Sequence, residues 1–507
     1  MNKPRLFLFL FIAGLSLWSF PGQFNSTDGT DRYRVAHAIL TGGLPEIGTY
    51  GDGIHNSTFI DDQGEFRSYF GIGQSLILIP LDIPGTALTS LVHFDQKMDF
   101  KIRLGLASLL HLFLVNFLVF LGSFLLAKTV GLNELNAVSS GLTAVFGSIL
   151  WNLARAGHEE SWLAVLMLLA LNFGFKFQKE GKSKYLFLFV ISLSAGLFFR
   201  PSFLTAIFIG VFWSLLIVYT NHRPKLKNWF FYWAGMGILT LLAIGFWNLH
   251  RTGNPIDFGY GQTGGTFSGN PFNGLVQPIF GFDKGLIWTT LWIVPALIMT
   301  GFSFTKLNSD IKTLGSLVIL FLLLNLMFHS FWFSWAGDHT WGARFQGHLI
   351  PLLAIIFWGC IQLKTEIIKW QTRMLLLSGI IASQIPSLCF WDTLEYLQAE
   401  KSGRSLISTN GSPTGTDGQI LMRYSNIIAK LSTGSLANFG EPETIRLSYS
   451  LGATSWNFWP WMIQKSLTTP LHFLFISLWN GLLVSVFFLF SLILNSPFTH
   501  ERFKKNA

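Results

Sequence analysis

The chain has 507 residues, half of them hydrophobic and only 12% charged, with a formal net charge of +9. So little charge excludes a soluble globular protein of this length, which carries charge on about a quarter of its residues to cover its surface. The basic excess sits at the ends of apolar blocks, with no Lys/Arg run interleaved with exposed aromatics, which speaks against a nucleic-acid partner.

The apolar blocks have the length a hydrocarbon core demands, about 20 residues for a helix. Only helices satisfy every backbone polar group there, so the fold class is an all-α polytopic membrane protein. Predicted spans in chain order are 5–20, 104–127, 136–154, 161–178, 185–199, 203–220, 229–249, 286–305, 313–332, 348–363, 374–391 and 471–494. Taken together they amount to about a dozen crossings. The first follows Lys3 and Arg5 and ends Leu-Trp-Ser-Phe-Pro, a poor match to a signal-peptide cleavage site, so an uncleaved helix is expected. Trp151, Trp162, Trp229, Trp332 and Trp335 lie near block ends, where amphipathic rings favour the headgroup region. Cys360 and Cys389 fall inside predicted helices and read as small buried hydrophobes rather than as a disulfide or metal site. Residues 72–94 are apolar but contain Pro80, Asp82 and Pro84, so they are expected as a non-spanning or re-entrant helix.

Short basic connectors at 178–184, 221–227 and 364–373, with the basic C-terminus, orient the chain with both termini cytoplasmic. Segments 21–103, 250–285 and 392–470 then fall on the outer face of the plasma (inner) membrane. Three parts are expected: a transmembrane catalytic module at 1–391, a loosely structured outer-face loop domain at 392–470, and a last helix with a basic tail at 471–507.

Candidate chemistry gathers in the outer loops. The first contains Asp28 and Asp31, whose i,i+3 spacing puts both carboxylates on one face of a short helix that Gly42 or Gly43 closes. Two readings stand for this pair. In one, Asp28 caps the helix and Asp31 pairs with Arg34; in the other, one carboxylate is a general base or metal ligand. A second acidic group, His158-Glu159-Glu160, occupies a tight outer turn beside Arg155. Helix-terminal polarity is the bland reading, but two adjacent Glu after His in a short turn of so charge-poor a chain exceed what chance gives. Metal ligation is a functional alternative for which the spacing is weak evidence. Arg200, Lys284 and Arg344 place cations at the same interface, suited to a phosphate, or to snorkelling toward lipid headgroups.

Taken in order, these residues resemble the integral-membrane glycosyltransferases of the GT-C superfamily, in particular bacterial family-39-like relatives of the protein O-mannosyltransferases and the aminoarabinose transferase. The resemblance runs through Asp28-Gly-Thr-Asp31-Arg-Tyr33, Tyr69-Phe-Gly-Ile-Gly-Gln-Ser-Leu-Ile-Leu-Ile-Pro80, Glu159 or Glu160, and Gly342-Ala-Arg344-Phe before Pro351. The family's adjacent Asp-Glu is replaced here by Asp-x-x-Asp, which leaves the base open between Asp28 and Asp31. The resemblance implies a polyprenyl-phosphate sugar donor and a glycan, lipid or protein acceptor, with membrane lipids around the bundle. It further implies acidic residues Asp28, Asp31, Glu159 and Glu160 at the reacting centre. Arg344, Arg200 and Lys284 would face the donor phosphate, and Tyr33, Tyr69 and His158 would position substrate. Some family members use a divalent metal ion and others none, so no cofactor is assigned. A lipid-linked saccharide flippase and an oligosaccharide ligase or polymerase are the competing classes; the scarcity of mid-span charge weighs against the first. The early acidic loop weighs against the second.

Overall fold

The computed structural model describes residues 3–20, 22–24, 26–42, 58–60, 66–68, 70–92, 95–258, 267–281, 285–332 and 343–364, with 369 and 371. It is mainly helical. Helix α1 (Lys3–Trp18) leads to a short helix α2 (Thr27–Leu40), a two-stranded antiparallel ribbon of β1 (Thr58–Ile60) and β2 (Phe66–Ser68), and α3 (Gly73–Leu91). Then come α4 (Gln96–Thr129), α5 (Glu134–Phe146), α6 (Leu150–Ala156), α7 (Glu160–Glu180), α8 (Ser183–Ala195), α9 (Leu204–Asn221) and α10 (Leu226–Thr252). The series closes with α11 (Pro271–Phe280), α12 (Leu286–Thr289), α13 (Ile293–Ser303), α14 (Ser309–Ser330) and α15 (Ile350–Gln362).

Among the described residues six helices are long and apolar enough to cross a membrane, and up to seven if a bent pair counts as one span. That pair is α5 and α6, predicted as one span at 136–154 but bent by 49° around Gly147–Ile149. Shorter apolar helices at Leu8–Leu17, Ser183–Phe198 and Ile293–Lys306 occupy three further predicted spans. The predicted spans 374–391 and 471–494, the 392–470 loop domain and Cys389 lie outside the described residues, so the described part does not reach a dozen crossings. Within the block 72–94, Gly73–Leu91 form α3, which is not among the helices suited to crossing.

Helix α7 is the most enclosed of the long helices but one, and it packs against α4 and α8. Small residues allow these close approaches: a Cβ on Gly122 would stand 3.0 Å from Leu168, and one on Gly174 would stand 3.2 Å from Phe189 of α8. Helix α1 is built into the bundle. Asn116 of α4 donates to Ser16 Oγ (3.1 Å), Trp151 donates to Ser19 Oγ (2.8 Å), and Arg155 Nε donates to the Ser19 carbonyl (2.9 Å). By contrast, α10 turns a row of large apolar side chains outward, with Phe246 74% and Leu241 68% exposed, as a lipid-facing helix does.

The bundle has two distinct ends. At one, Lys179 pairs with Asp310 (2.7 Å), the His222 ring lies 3.2 Å from the Gln178 carbonyl, and Asn308 donates to the Val130 carbonyl (2.9 Å). At the other end, α2, α3, the turn at 157–159, residues 196–203 and Arg344 come together. The connectors at 178–184 and 221–227, expected on one side, therefore lie at the same end, while most of 364–373 and the basic C-terminus lie outside the described residues.

Candidate active site

Helix α2 is placed by its first turn. Ser26, not Asp28, is its N-cap: the hydroxyl accepts from Gly29 N (3.1 Å) and itself donates to the Ala156 carbonyl at the end of α6 (2.5 Å). The helix ends at Thr41, followed by Gly42 with φ +75°. A Cβ on Gly29 would stand 2.6 Å from the Ala156 carbonyl oxygen. Gly157 closes α6 in the left-handed region (φ 73°), and a Cβ there would meet the Phe24 ring at 2.5 Å. These two glycines let the start of α2 lie directly against the α6–α7 turn, which brings Asp28 to His158 and Arg32 to Glu159.

The result is a buried ion cluster drawn from four distant segments. Arg32 pairs with Glu159 Oε2, donates to the Gly157 carbonyl (3.3 Å) and lies over the Phe70 ring at 3.8 Å. Arg200 bridges Glu159 Oε1 (2.9 Å) and Glu160 Oε1 (2.8 Å). Arg344 reaches Asp28 Oδ2 (3.3 Å), Glu160 Oε1 (3.5 Å) and His158 Nδ1 (3.3 Å), and His158 Nδ1 lies 3.5 Å from Asp28 Oδ2. Three guanidinium groups therefore face three carboxylates, and with His158 neutral their charges cancel. Such balance is what permits ionised groups to be withdrawn from water. Of the carboxylates, Asp28 is the most open, with 18% of its side chain exposed against 4% for Glu159 and 1% for Glu160. Within the cluster, Glu160 Oε2 and His158 Nε2 are buried without a hydrogen-bond partner.

Electrostatics follow from this geometry. Burial alone would raise the Asp28 pKa, but the His158 hydrogen bond and the Arg344, His158 and Arg32 charges hold it well below the usual carboxylate range. Burial lowers Arg32 to about 10 against the opposing pull of Asp28 and Glu160, so it stays charged at neutral pH. Burial likewise lowers His158 from its ordinary 6.5, with the Asp28 hydrogen bond opposing and the Arg344 charge assisting, so the ring is neutral at pH 7. Both Asp28 and His158 have folded-state pKa values below their unfolded ones, so the unfolded chain binds more protons and stability falls with falling pH. For His158 the loss begins as pH drops below its ordinary 6.5; for Asp28 it begins only below its ordinary 3.8. A thermal unfolding series between pH 8 and 5 should show a falling midpoint below about 6.5, shallower in His158→Gln. An identical slope in that variant would remove His158 as a source.

The cluster thus unites Asp28, His158, Glu159, Glu160, Arg200 and Arg344 from the residues singled out in the sequence. Asp31 is fully buried and pairs instead with Arg34 (3.3 Å), as the structural alternative had it. Tyr33 is also fully buried, and its hydroxyl donates to Asp82 rather than facing the cluster. Tyr69 and Lys284 lie outside the described residues. Arg32 was missed by sequence reasoning, although its i,i+4 spacing from Asp28 puts it on the same helical face. Among the described residues no group of three or more His, Cys, Asp and Glu side chains is arranged to hold a metal ion, and arginines provide the positive charge opposite the acids.

A recess of about 320 Å³, part of it open to solvent, lies between α10, Gly71–Ile72 and the residues Leu197, Phe198 and Pro201. Phe198, Trp247 and Phe258 are among its walls, and the Trp247 indole N–H is buried without a partner.

Fold and site define a polytopic helical membrane protein with a charge-balanced polar centre at one end of its bundle. No protein-family model matches the chain, and no curated protein matches it. Among solved structures it is similar to the archaeal oligosaccharyltransferase AglB from Archaeoglobus fulgidus in complex with an inhibitory peptide and a dolichol-phosphate (TM-score 0.39, 11% identity, 89% of this chain and 59% of that one). It is similar also to the Archaeoglobus fulgidus oligosaccharyltransferase in complex with Zn and sulfate (TM-score 0.37, 12% identity, 80% and 58%) and in the apo form (TM-score 0.38, 12% identity, 89% and 60%). The chain spans about three-fifths of the length of these proteins. Likeness at this level assigns no residue roles.

Proposed function

We propose that the protein is a GT-C, family-39-like glycosyltransferase that moves a sugar from a polyprenyl-phosphate carrier to an acceptor hydroxyl. The reaction takes place on the outer face of the plasma membrane, with the Lys179 end of the bundle and both termini cytoplasmic. The observation that carries this reading is the convergence of a first-loop carboxylate, Asp28, with the Glu159–Glu160 pair and the Arg200 and Arg344 guanidiniums at one end of the bundle. A glycosyl phosphate needs a base on one side of its anomeric carbon and positive charge on its leaving oxygens.

In this mechanism the acceptor O–H proton passes to Asp28 as the acceptor oxygen bonds to C1. The bond from C1 to the phosphate oxygen breaks, and its electron pair leaves with the phosphate, where Arg344 and Arg200 offset the charge. One displacement inverts the anomeric configuration. The resting Asp28 is a weak base because Arg344 and His158 stabilise its anion. A donor phosphate that draws Arg344 to itself removes part of that stabilisation, so donor binding and base strength rise together. Glu160 Oε2 and His158 Nε2, both unpartnered, suit sugar hydroxyls. The acceptor hydroxyl belongs to a glycan, a lipid or a protein.

The test is a panel of polyprenyl-phosphate sugars offered to purified protein in liposomes, with lipid flipping scored in parallel. Transfer from at least one lipid-phosphate donor, and none from the matching nucleotide sugars, is expected. Flipping without transfer would replace this reading by the flippase one.

A further inference from the structure

The aspartate inside the apolar block 72–94 belongs to a second buried polar constellation. Tyr33 Oη donates to Asp82 Oδ1 (2.5 Å), and His37 Nδ1 lies 2.5 Å from Asp82 Oδ2. Arg103 Nη1 of α4 lies 3.0 Å from His37 Nε2. A guanidinium only donates, so Nε2 accepts and the imidazole proton resides on Nδ1, directed at Asp82. Each oxygen of this fully buried carboxylate therefore accepts one hydrogen bond, both from α2. Gly85, one turn further along α3, sets the distance to α4: a Cβ there would stand 2.8 Å from Arg103 Cα. That close approach brings Arg103 within reach of His37.

None of Tyr33, His37, Asp82 and Arg103 takes part in the ion pairs of the Asp28 cluster, yet two of them share α2 with Asp28 and Arg32. Helix α2 is only 14 residues long, so its rotational setting depends on what grips it. Side-chain tips lie about 5 Å from a helix axis, so a rotation of about 20° displaces them by about 2 Å. That is enough to part Asp28 from Arg344 and His158. We infer that Asp82 is a positioning residue for the reacting centre: it clamps α2 to α3 through Tyr33 and His37 and so sets where Asp28 and Arg32 meet the α6–α7 turn. Pro80 and Pro84 bracket it within α3, and neither can donate a backbone N–H.

The rate part of the test rests on the glycosyl-transfer reading; the exchange part does not. Asp82→Asn keeps the shape and removes the charge. It should lower kcat by about 10- to 100-fold with KM within about twofold, since misplacement of about 1 Å has that scale of effect on rate. Amide exchange across 27–40 should rise while α7 stays protected. In an Asp28→Asn background, Asp82→Asn should have little further effect on kcat, because it acts through Asp28. Full kcat and unchanged exchange in α2 would overturn the inference, as would a loss of rate that multiplies with that of Asp28→Asn. Faster exchange in α2 in a protein that transfers no sugar even as wild type would uphold the clamp and refute the transfer reading. Should Asp82→Asn not fold, Tyr33→Phe, which deletes one hydroxyl, carries the same comparison with the same overturning result.

Discussion

Asp28→Asn is expected to lower the rate constant for sugar transfer by about 10²- to 10⁴-fold, the range over which a positioned general base contributes. The protein should remain folded. Asp28 is the most open carboxylate of the cluster, and its loss leaves Arg344 still facing Glu160 at 3.5 Å. KM for the donor should change little or fall, because Arg344 no longer has a competing partner in Asp28. Asp31→Asn provides the contrast. That carboxylate is paired with Arg34 and fully buried, so its neutralisation should reduce stability while changing kcat per folded molecule by less than about tenfold. Steady-state kinetics on both variants, normalised to folded protein by size exclusion, separates the two aspartates. Equal kcat for wild type and Asp28→Asn would remove Asp28 as the base.

Arg200→Met should have the largest effect on stability, about 3–5 kcal/mol, the cost of removing one partner from a buried ion pair. Arg200 is the bridge between Glu159 and Glu160, whose side chains are 4% and 1% exposed. Without it the cluster carries a net negative charge in a medium that solvates it poorly. Arg32 still serves Glu159, but Glu160 is left with the longer contact to Arg344. The second variant that gives the result its meaning is Arg200→Met combined with Glu160→Gln. Removing charge from both sides should recover part of the loss, whereas a solvated pair would show neither the loss nor the recovery. Chemical denaturation of the detergent-solubilised protein measures both, and a change below about 1 kcal/mol for the single variant would mean that the pair behaves as a surface one.

Which parts of this arrangement were legible in the sequence follows from the range of the forces involved. Hydrophobic length is a local property, and the apolar blocks within the described residues do form helices. Their ends are less legible: the block at 104–127 becomes α4 from Gln96 to Thr129, because Asp95 caps a polar stretch that continues the same helix beyond the apolar part. The break between α5 and α6 left only Gly147-Ser148 as a trace in an otherwise spanning block. Charged partners are the opposite case. The acidic turn at 158–160 and Arg344 were visible as oddities in a charge-poor chain, but their pairing joins residues far apart in sequence, which spacing cannot report. Spacing on α2 was informative about faces and silent about neighbours. It grouped Asp28 with Asp31, whereas packing sends Asp28 to His158 and Arg344 and leaves Asp31 with Arg34. The same silence hid the role of Asp82, an evident anomaly whose partners lie on α2.

The most direct measurement is a structure of the protein with a polyprenyl-phosphate sugar bound. The phosphate should lie within hydrogen-bonding distance of Arg344 or Arg200, with the Arg344–Asp28 contact of 3.3 Å opened and Asp28 facing the anomeric carbon. A donor seated elsewhere, with the ion pairs of the cluster unchanged, would contradict the account.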